Sequence, residues 1–456
     1  MNKQLLTIAC SCMLSLSVNA QSFETATEAV NNMKVGWNLG NTLDSNSGDV
    51  NNMWIEAYTS RTPSDYETAW GQPVTKPELI KMFKDAGFNA VRVPVTWYPH
   101  MEAKFQNGQT TWDPVTNSIG KKIQANWMKR VHEVVDYVVS QGMYCILNVH
   151  HDTGAANTAW VIASGDDYAK QKDRFEAVWT QIAEEFKDYD EHLLFEGYNE
   201  MLDKYDSWCF ATFGRSAGYN ATDATDAYKA INNYAQSFVN AVRATGGNNA
   251  QRNLIVNTYG SCSGSGNWNT HLQDPLKEMK YPTDAAGAGH IIFEIHTYPS
   301  LVENNKNRTI SSIQSEINEM VSAWKNHLAS KGAPVIVGEW GTSNVDASTT
   351  DYDARRPLML QFAEYFVKRC KANGIATFYW MGLSDGSPRS VPEFNQADLK
   401  DAIIKGYYGE GGYTAVQSVS ATASQPPLTY DLQGRRVATP RRGLYIKDGK
   451  KYVSYQ

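Results

Sequence analysis

The chain lacks the features that would tie it to a membrane, a metal cluster or a nucleic acid. After its first 20 residues no stretch is long and apolar enough for a transmembrane helix. Cysteine is scarce, six in 456 residues, and no two are spaced C-x-x-C, which argues against a cysteine zinc site. Charge of either sign is not in excess. The formal net charge of −6 gives no basic face for a polyanion, so no nucleic-acid partner is expected. The Gly/Ser-rich run Gly260–Gly266 has no Gly-Lys-Ser/Thr ending and reads as a loop, not a phosphate cradle.

Aromatic residues are plentiful. Thirteen Trp and 25 Tyr supply flat apolar faces with polar edges, which suit the C–H faces and hydroxyl rims of sugar rings. Most of them must nevertheless serve core packing. Residues 1–20 read as a signal peptide: Lys3 is the sole charge, Leu5–Val18 is mostly apolar, and Val18-Asn19-Ala20 offers a cleavage site. Cys10 and Cys12 go with it and have too little apolar chain before them to act as lipid anchors. A secreted or cell-surface location is expected. Of the remaining cysteines, Cys145 and Cys370 fall in strand and helix patterns and read as buried thiols, while Cys209 and Cys262 lie in loops and could pair.

Eight short apolar runs alternate with amphipathic segments. The strand candidates are Lys34–Asn38, Ala90–Pro94, Tyr144–His150, Leu193–Glu200, Asn253–Asn257, Ile291–His296, Val335–Glu339 and Ala376–Trp380. Between them lie helix patterns such as Lys76–Ala86, Trp127–Ser140 and Ala224–Arg243. The strands are continuously apolar, as expected when both faces are covered, and the alternation implies a parallel sheet. Eight repeats fit an α/β fold of the (β/α)8 TIM-barrel type, with an open doubly wound sheet as the alternative. The expected domains are the signal peptide 1–20, a barrel over 21–409, a linker over 410–427 and a small basic β-rich tail over 428–456.

In such a barrel the chemistry sits at the C-terminal ends of the strands. The candidate strands end on Asn38, Arg92, His150, Asn199, Glu200, His296, Tyr298, Glu339 and Trp380. Two carboxylates on facing strands are what glycoside cleavage needs, one as acid and the other as nucleophile or base. Arg92 would keep Glu339 ionised, and a less cation-supported Glu200 would act as the acid. Asn199 suits a sugar 2-OH, Tyr298 could donate to Glu339, His296 could reach Glu200, and Trp380 could lie under a sugar. His150-His151-Asp152 suggests a metal, but adjacent strand side chains point to opposite faces, so no metal or other cofactor is expected. His150 is instead assigned to a sugar hydroxyl. Outer aromatic platforms are sought among Trp54, Trp70, Trp97, Trp208 and Trp268, with Trp70 and Trp97 favoured.

Together these segments resemble glycoside hydrolase family 5, the cellulase family of clan A. The matching runs are Gly36–Asp44, Glu67–Gly71, Val91–Val95, Leu147–Asp152, Tyr198-Asn199-Glu200, His296-Thr297-Tyr298, Gly338–Gly341 and Tyr379-Trp380, in family order over residues 25–409. The resemblance implies retaining, metal-free hydrolysis of β-linked polysaccharide, with Glu200 as acid/base and Glu339 as nucleophile. An endo-β-1,4-glucanase is expected, with xyloglucan, mannan and xylan as alternative substrates. Met201-Leu202 follows Glu200 where many members have proline, so the next loop should differ. The tail run Tyr430–Val437 with Gly443–Ile446 is similar to C-terminal sorting domains of secreted Bacteroidetes proteins, which implies a contact with outer-membrane export machinery. A monomer is expected. A non-catalytic sugar-binding protein would have lost a carboxylate, and a metal-dependent barrel hydrolase would need a strand-end ligand set; neither pattern fits.

Overall fold

The computed structural model describes residues 23–47, 54–103, 119–154, 159–304, 306–342, 352–413, 429–430, 443–447 and 450–454. The expected signal peptide and most of the sorting-type motif lie outside these residues. The strands β1 (Val35–Asn38), β2 (Ala90–Val93), β3 (Tyr144–Asn148), β4 (Leu193–Glu196), β5 (Leu254–Cys262), β6 (Ile291–Thr297), β7 (Val335–Trp340) and β8 (Ala376–Tyr379) are all parallel. They close into a barrel in which each strand pairs with its sequence neighbours and β8 returns to β1. The open-sheet alternative is thereby excluded. Every one of the eight runs read from the sequence is a strand, although β4 stops at Glu196 rather than Glu200.

Local chemistry explains the crossover helices. The helix Ala125–Val139 buries Trp127, Val131, Val134, Val135 and Val138, the stripe that faces the barrel wall. The preceding helix, Pro77–Asp85, starts with proline at its first position. It ends at Ala86 and Gly87, whose φ of 104° only glycine adopts without strain. Phe88 then enters β2 by donating its N–H to the Phe83 carbonyl at 3.1 Å.

Of the elements not read from the sequence, one closes the barrel. The helix Ala26–Met33 precedes β1 and is held by a capping box between Thr25 and Glu28. Its apolar face, Ala26, Ala29, Val30 and Met33, packs on Ala90, Tyr144, Ile146, Leu194, Ile255, Ile292, Ile336, Ala376 and Phe378. Those residues begin the strands, so this helix closes the N-terminal end of the barrel. The opposite end is left open for polar side chains.

The chain divides into a unit ending at Tyr407 and a second unit from Tyr408 to Gln456. The described part of the second unit is an antiparallel sheet of Thr429–Tyr430, Gly443–Lys447 and Lys450–Ser454. Among the described residues no helix is long and apolar enough to cross a membrane.

Candidate active site

Arg92, the third residue of β2, is fully buried at the open end of the barrel and organises the polar side chains there. Its Nε and Nη2 donate to both oxygens of Glu196 at 2.6 and 2.7 Å. Nη2 also reaches Asn199 Oδ1 at 2.8 Å. Nη1 donates to Glu339 Oε1 at 2.7 Å and to Asn38 Oδ1 at 3.0 Å. Glu294 Oε1 lies 3.3 Å from Nε. The planar fork of a guanidinium is the side chain that can serve so many acceptors at once. A lone buried cation would be costly, but here carboxylates from β4, β6 and β7 surround it.

Glu339 has a second donor, the Tyr298 hydroxyl, at 2.8 Å from Oε2. Burial alone would push its pKa up. The positive His296 and Arg92, with the Tyr298 hydrogen bond, outweigh that and hold it below the usual carboxylate range. Glu200 stands opposite. Its Oε1 is 2.9 Å from His296 Nδ1. Burial raises its pKa, the His296 hydrogen bond partly opposes this, and the Glu339 charge adds to it. Oxygens of Glu200 and Glu339 and a ring nitrogen of His296 all lie within 4.8 Å of one another. One carboxyl is thus held ionised and its neighbour biased toward the acid.

His150, the second residue beyond β3, accepts from Asn148 Nδ2 at 3.1 Å through Nδ1 and turns Nε2 toward Glu339 Oε1 at 3.9 Å. Burial keeps this imidazole neutral well into the acid range. Trp380 lies parallel to it, 7° between planes and 5.7 Å between centroids. Gly40 leaves room for that indole, since a Cβ there would sit 2.9 Å from Trp380 Cη2. The argument that His150 and His151 point apart does not hold: β3 has ended at Asn148, and the two rings are 4.4 Å apart. Atoms of Asp44, His150 and His151 fall within 4.8 Å of one another, but Asp44 already accepts from the Asn41 and Thr42 N–H groups.

Several sequence assignments need correction. Trp97 is fully buried, with its indole N–H on the Asn148 carbonyl at 2.9 Å, and is core rather than a sugar platform. Asn38 is also fully buried; its amide donates to the Gly338 carbonyl and accepts from Arg92, so it supports the site without facing a substrate. Arg92 itself has no exposed surface and acts through Glu339 and Asn199. Asn199, next to Glu200 in the chain, is held by its Oδ1, which accepts from Arg92 Nη2. Trp70 is half-buried at the rim, 5.4 Å from His151. Cys209 and Cys262 are free thiols, not a disulfide, as are the buried Cys145 and Cys370.

Glu196, Glu294, Asn148 and Asn257 were missed. Asn148 and Asn257 both donate to Glu196 Oε1, at 3.1 and 3.2 Å. A readable signal existed: each Glu is a charge inside a continuous apolar run, Leu193–Glu196 and Ile291–Ile295. The sequence reading of no Gly-x-Ser-x-Gly nucleophile is wrong as to spacing, since Gly382–Gly386 has it, but Ser384 is fully buried and its Oγ has no hydrogen-bond partner among the described residues.

Beyond Glu200 a cavity of about 410 Å³ runs along the open end, lined by Glu200, Trp208, Cys209, Trp268, His296 and Tyr298 among others. Trp208 is 40% and Trp268 59% exposed. The loop that carries Trp208 is fixed by Asp203, which accepts from the Tyr205, Ser207 and Thr212 N–H groups.

Residues 51–385 match the family model Cellulase (glycosyl hydrolase family 5). The chain is 32% identical over 417 residues to Endoglucanase A of Clostridium longisporum, covering 86% of this chain and 68% of that one. It is 34% identical over 409 residues to Endoglucanase B of Neocallimastix patriciarum, covering 86% and 75%. Among solved structures, a GH5-4 broad specificity endoglucanase from an uncultured bacterium superposes with a TM-score of 0.77 at 55% identity, covering 86% and 98%. A family 5 enzyme of Prevotella bryantii B14, solved with a xyloglucan tetradecasaccharide, superposes with a TM-score of 0.70 at 39% identity, covering 84% and 99%. A closed parallel barrel carrying two neighbouring carboxylates, in a sequence this similar, leaves one conclusion: the chain belongs to glycosyl hydrolase family 5, the cellulase family, and is a glycoside hydrolase.

Proposed function

We propose that this enzyme is a retaining endo-β-1,4-glucanase in which Glu339 is the nucleophile and Glu200 the acid/base. The single observation that carries the reading is the carboxyl pair: their oxygens approach within 4.8 Å, and their environments push their pKa values in opposite directions. Separations of about 5–5.5 Å go with retention, whereas inversion needs about 6.5–9.5 Å to admit a water. In the first step Glu339 attacks the anomeric carbon while Glu200 gives its proton to the departing glycosidic oxygen. In the second, Glu200 takes a proton from water, the water oxygen bonds to the anomeric carbon, and Glu339 leaves. Arg92 and Tyr298 orient the nucleophile, and Trp380 with His150 offers a surface for the sugar on its side of the cleft. The cavity lined by Trp208 and Trp268 adjoins Glu200 and so takes the leaving-group side.

The names of the relatives, endoglucanases of Clostridium longisporum, Neocallimastix patriciarum and an uncultured bacterium, support a β-glucan substrate. Xyloglucan is the second reading, favoured by the Prevotella relative's bound oligosaccharide. The test is reducing-sugar release by wild type and by Glu200→Ala and Glu339→Gln on carboxymethyl cellulose, barley β-glucan, xyloglucan, glucomannan, galactomannan and xylan. Release from β-glucan, lost in both variants with folding intact, is expected. Wild-type turnover in Glu339→Gln would overturn the assignment of the nucleophile, and silence on every polymer would overturn the substrate. Export through the N-terminal segment and the basic tail is proposed from sequence alone; fractionation of cells expressing the full chain tests it.

A further inference from the structure

His296 has a carboxylate on each ring nitrogen. Nδ1 faces Glu200 at 2.9 Å, with Glu339 3.6 Å away, and Nε2 faces Glu294 Oε1 at 3.2 Å. Glu294 has no exposed surface, and its Oε2 has no hydrogen-bond partner among the described residues. Its place is kept open by Gly338, where a Cβ would sit 1.5 Å from Glu294 Oε1. Nothing in the two-step reaction uses this carboxylate directly. It touches no substrate surface, yet the strand before the nucleophile is built around it.

We propose that Glu294 is a positioning residue for the reaction: through His296 Nε2 it anchors a proton on the imidazole, leaves Glu200 free of it, and so sets the alkaline limit of activity. The proposal rests on Glu200 being the acid/base. When the Glu200–His296 pair has lost one of its two protons, the remaining one sits either on Glu200, which is the working acid, or on His296, which leaves Glu200 a carboxylate. An anion behind Nε2 favours the second arrangement. That ends the first step as pH rises. It also keeps Glu200 a free base for the water of the second step. The other titratable or charged groups around Glu200, His296 and Glu294 are Arg92 from β2, Glu196 from β4, Glu339 from β7, His150 beyond β3, Tyr298 beyond β6, and Cys262, whose backbone is the register partner of His296 in the β5–β6 ladder. Burial lowers the His296 pKa, but Glu339, Glu200 and Glu294 override it and push it up to about 10. Burial and Glu196 push Glu294 up to about 7.

Two measurements test this. In wild-type enzyme labelled with 15N-histidine, the signal missing from His296→Asn should show both ring nitrogens protonated at pH 8. Titration near the ordinary value of about 6.5 would overturn the proposal without needing any variant of Glu294 to fold. In Glu294→Gln, the alkaline limb of kcat/KM should move up by about one pH unit while the acid limb stays, because the last proton then rests on Glu200. Glu294→Asp should return the limb toward wild type. A limb that stays in place while only kcat or Tm falls would make Glu294 merely structural. Failure of the acid/base reading itself would appear separately, as activity retained in Glu200→Ala.

Discussion

Replacing Arg92 by methionine keeps an unbranched apolar stem but removes the cation that Glu196, Glu294 and Glu339 share. Removing one partner of a buried ion pair costs about 3–5 kcal/mol, because the remaining charge has no compensation. At about 2.1 cal/mol/K of unfolding entropy per residue, a barrel of roughly 400 residues shifts its Tm by about 1.2 °C per kcal/mol. The expected loss at pH 7 is therefore about 4–6 °C. The sign of its pH dependence is the sharper test. Without Arg92 the folded-state pKa of Glu339 rises, and that of Glu294, which burial and Glu196 already hold above the ordinary value, rises further. A carboxyl held above its unfolded pKa destabilises the fold fully above its folded pKa, and the penalty declines as pH falls from there, vanishing near the unfolded value. Scanning calorimetry of both proteins at pH 7 and pH 5 should show the deficit shrinking at the lower pH. An equal deficit at both would mean that Arg92 matters for its packing alone, and the electrostatic account of the site would fail.

The aromatic assignments predict opposite outcomes for two tryptophans. Trp97→Ala should lose about 3–5 kcal/mol of stability, seen as a lower urea midpoint. Trp268→Ala should leave the midpoint within about 0.5 kcal/mol, as for other exposed sites, and raise KM on long β-glucans. Gly338→Ala forces a methyl into Glu294 and the irregular stretch of β7; it should cost about 1–3 kcal/mol and most of kcat, measured by melting and by initial rates.

The barrel was legible because its strands are covered on both faces. Such strands must be continuously apolar, and runs like Tyr144–Leu147 and Ile291–Phe293 cannot be mistaken for surface segments. The closing helix was legible in principle, with Thr25 and Glu28 boxing its start and Ala26, Ala29, Val30 and Met33 at helical spacing, but it precedes the first strand and breaks the strand–helix count. In the site, residues at the strand tips could be found because position alone selects them. Trp97 could not be sorted from Trp268 by that rule. A tryptophan near a strand end turns inward or outward according to what its indole N–H meets, and Trp97 meets the Asn148 carbonyl. The polar layer beneath the tips was hidden for the same reason. Glu196 and Glu294 come four and two residues before Glu200 and His296, inside apolar runs, and sequence does not say that an arginine of another strand will reach them.

That lower layer raises a question of sign. Glu196 takes two of the donors of Arg92, Nε and Nη2, and leaves Nη1 to Asn38 and Glu339. As an anchor, it aims the guanidinium at the nucleophile, and its loss would let Glu339 rise in pKa. As a competitor, it absorbs positive charge that Glu339 would otherwise feel, and its loss would lower that pKa further. Arg92 retains Asn38, Asn199, Glu294 and Glu339 as acceptors when Glu196 becomes neutral, so the guanidinium has reason to stay where it is. The competitor effect should then win. In Glu196→Gln the acid limb of kcat/KM, which reports the ionisation of Glu339 in the free enzyme, should move to lower pH. Movement to higher pH would instead mean that the fork holds its aim only while both of its arms grip the same carboxylate.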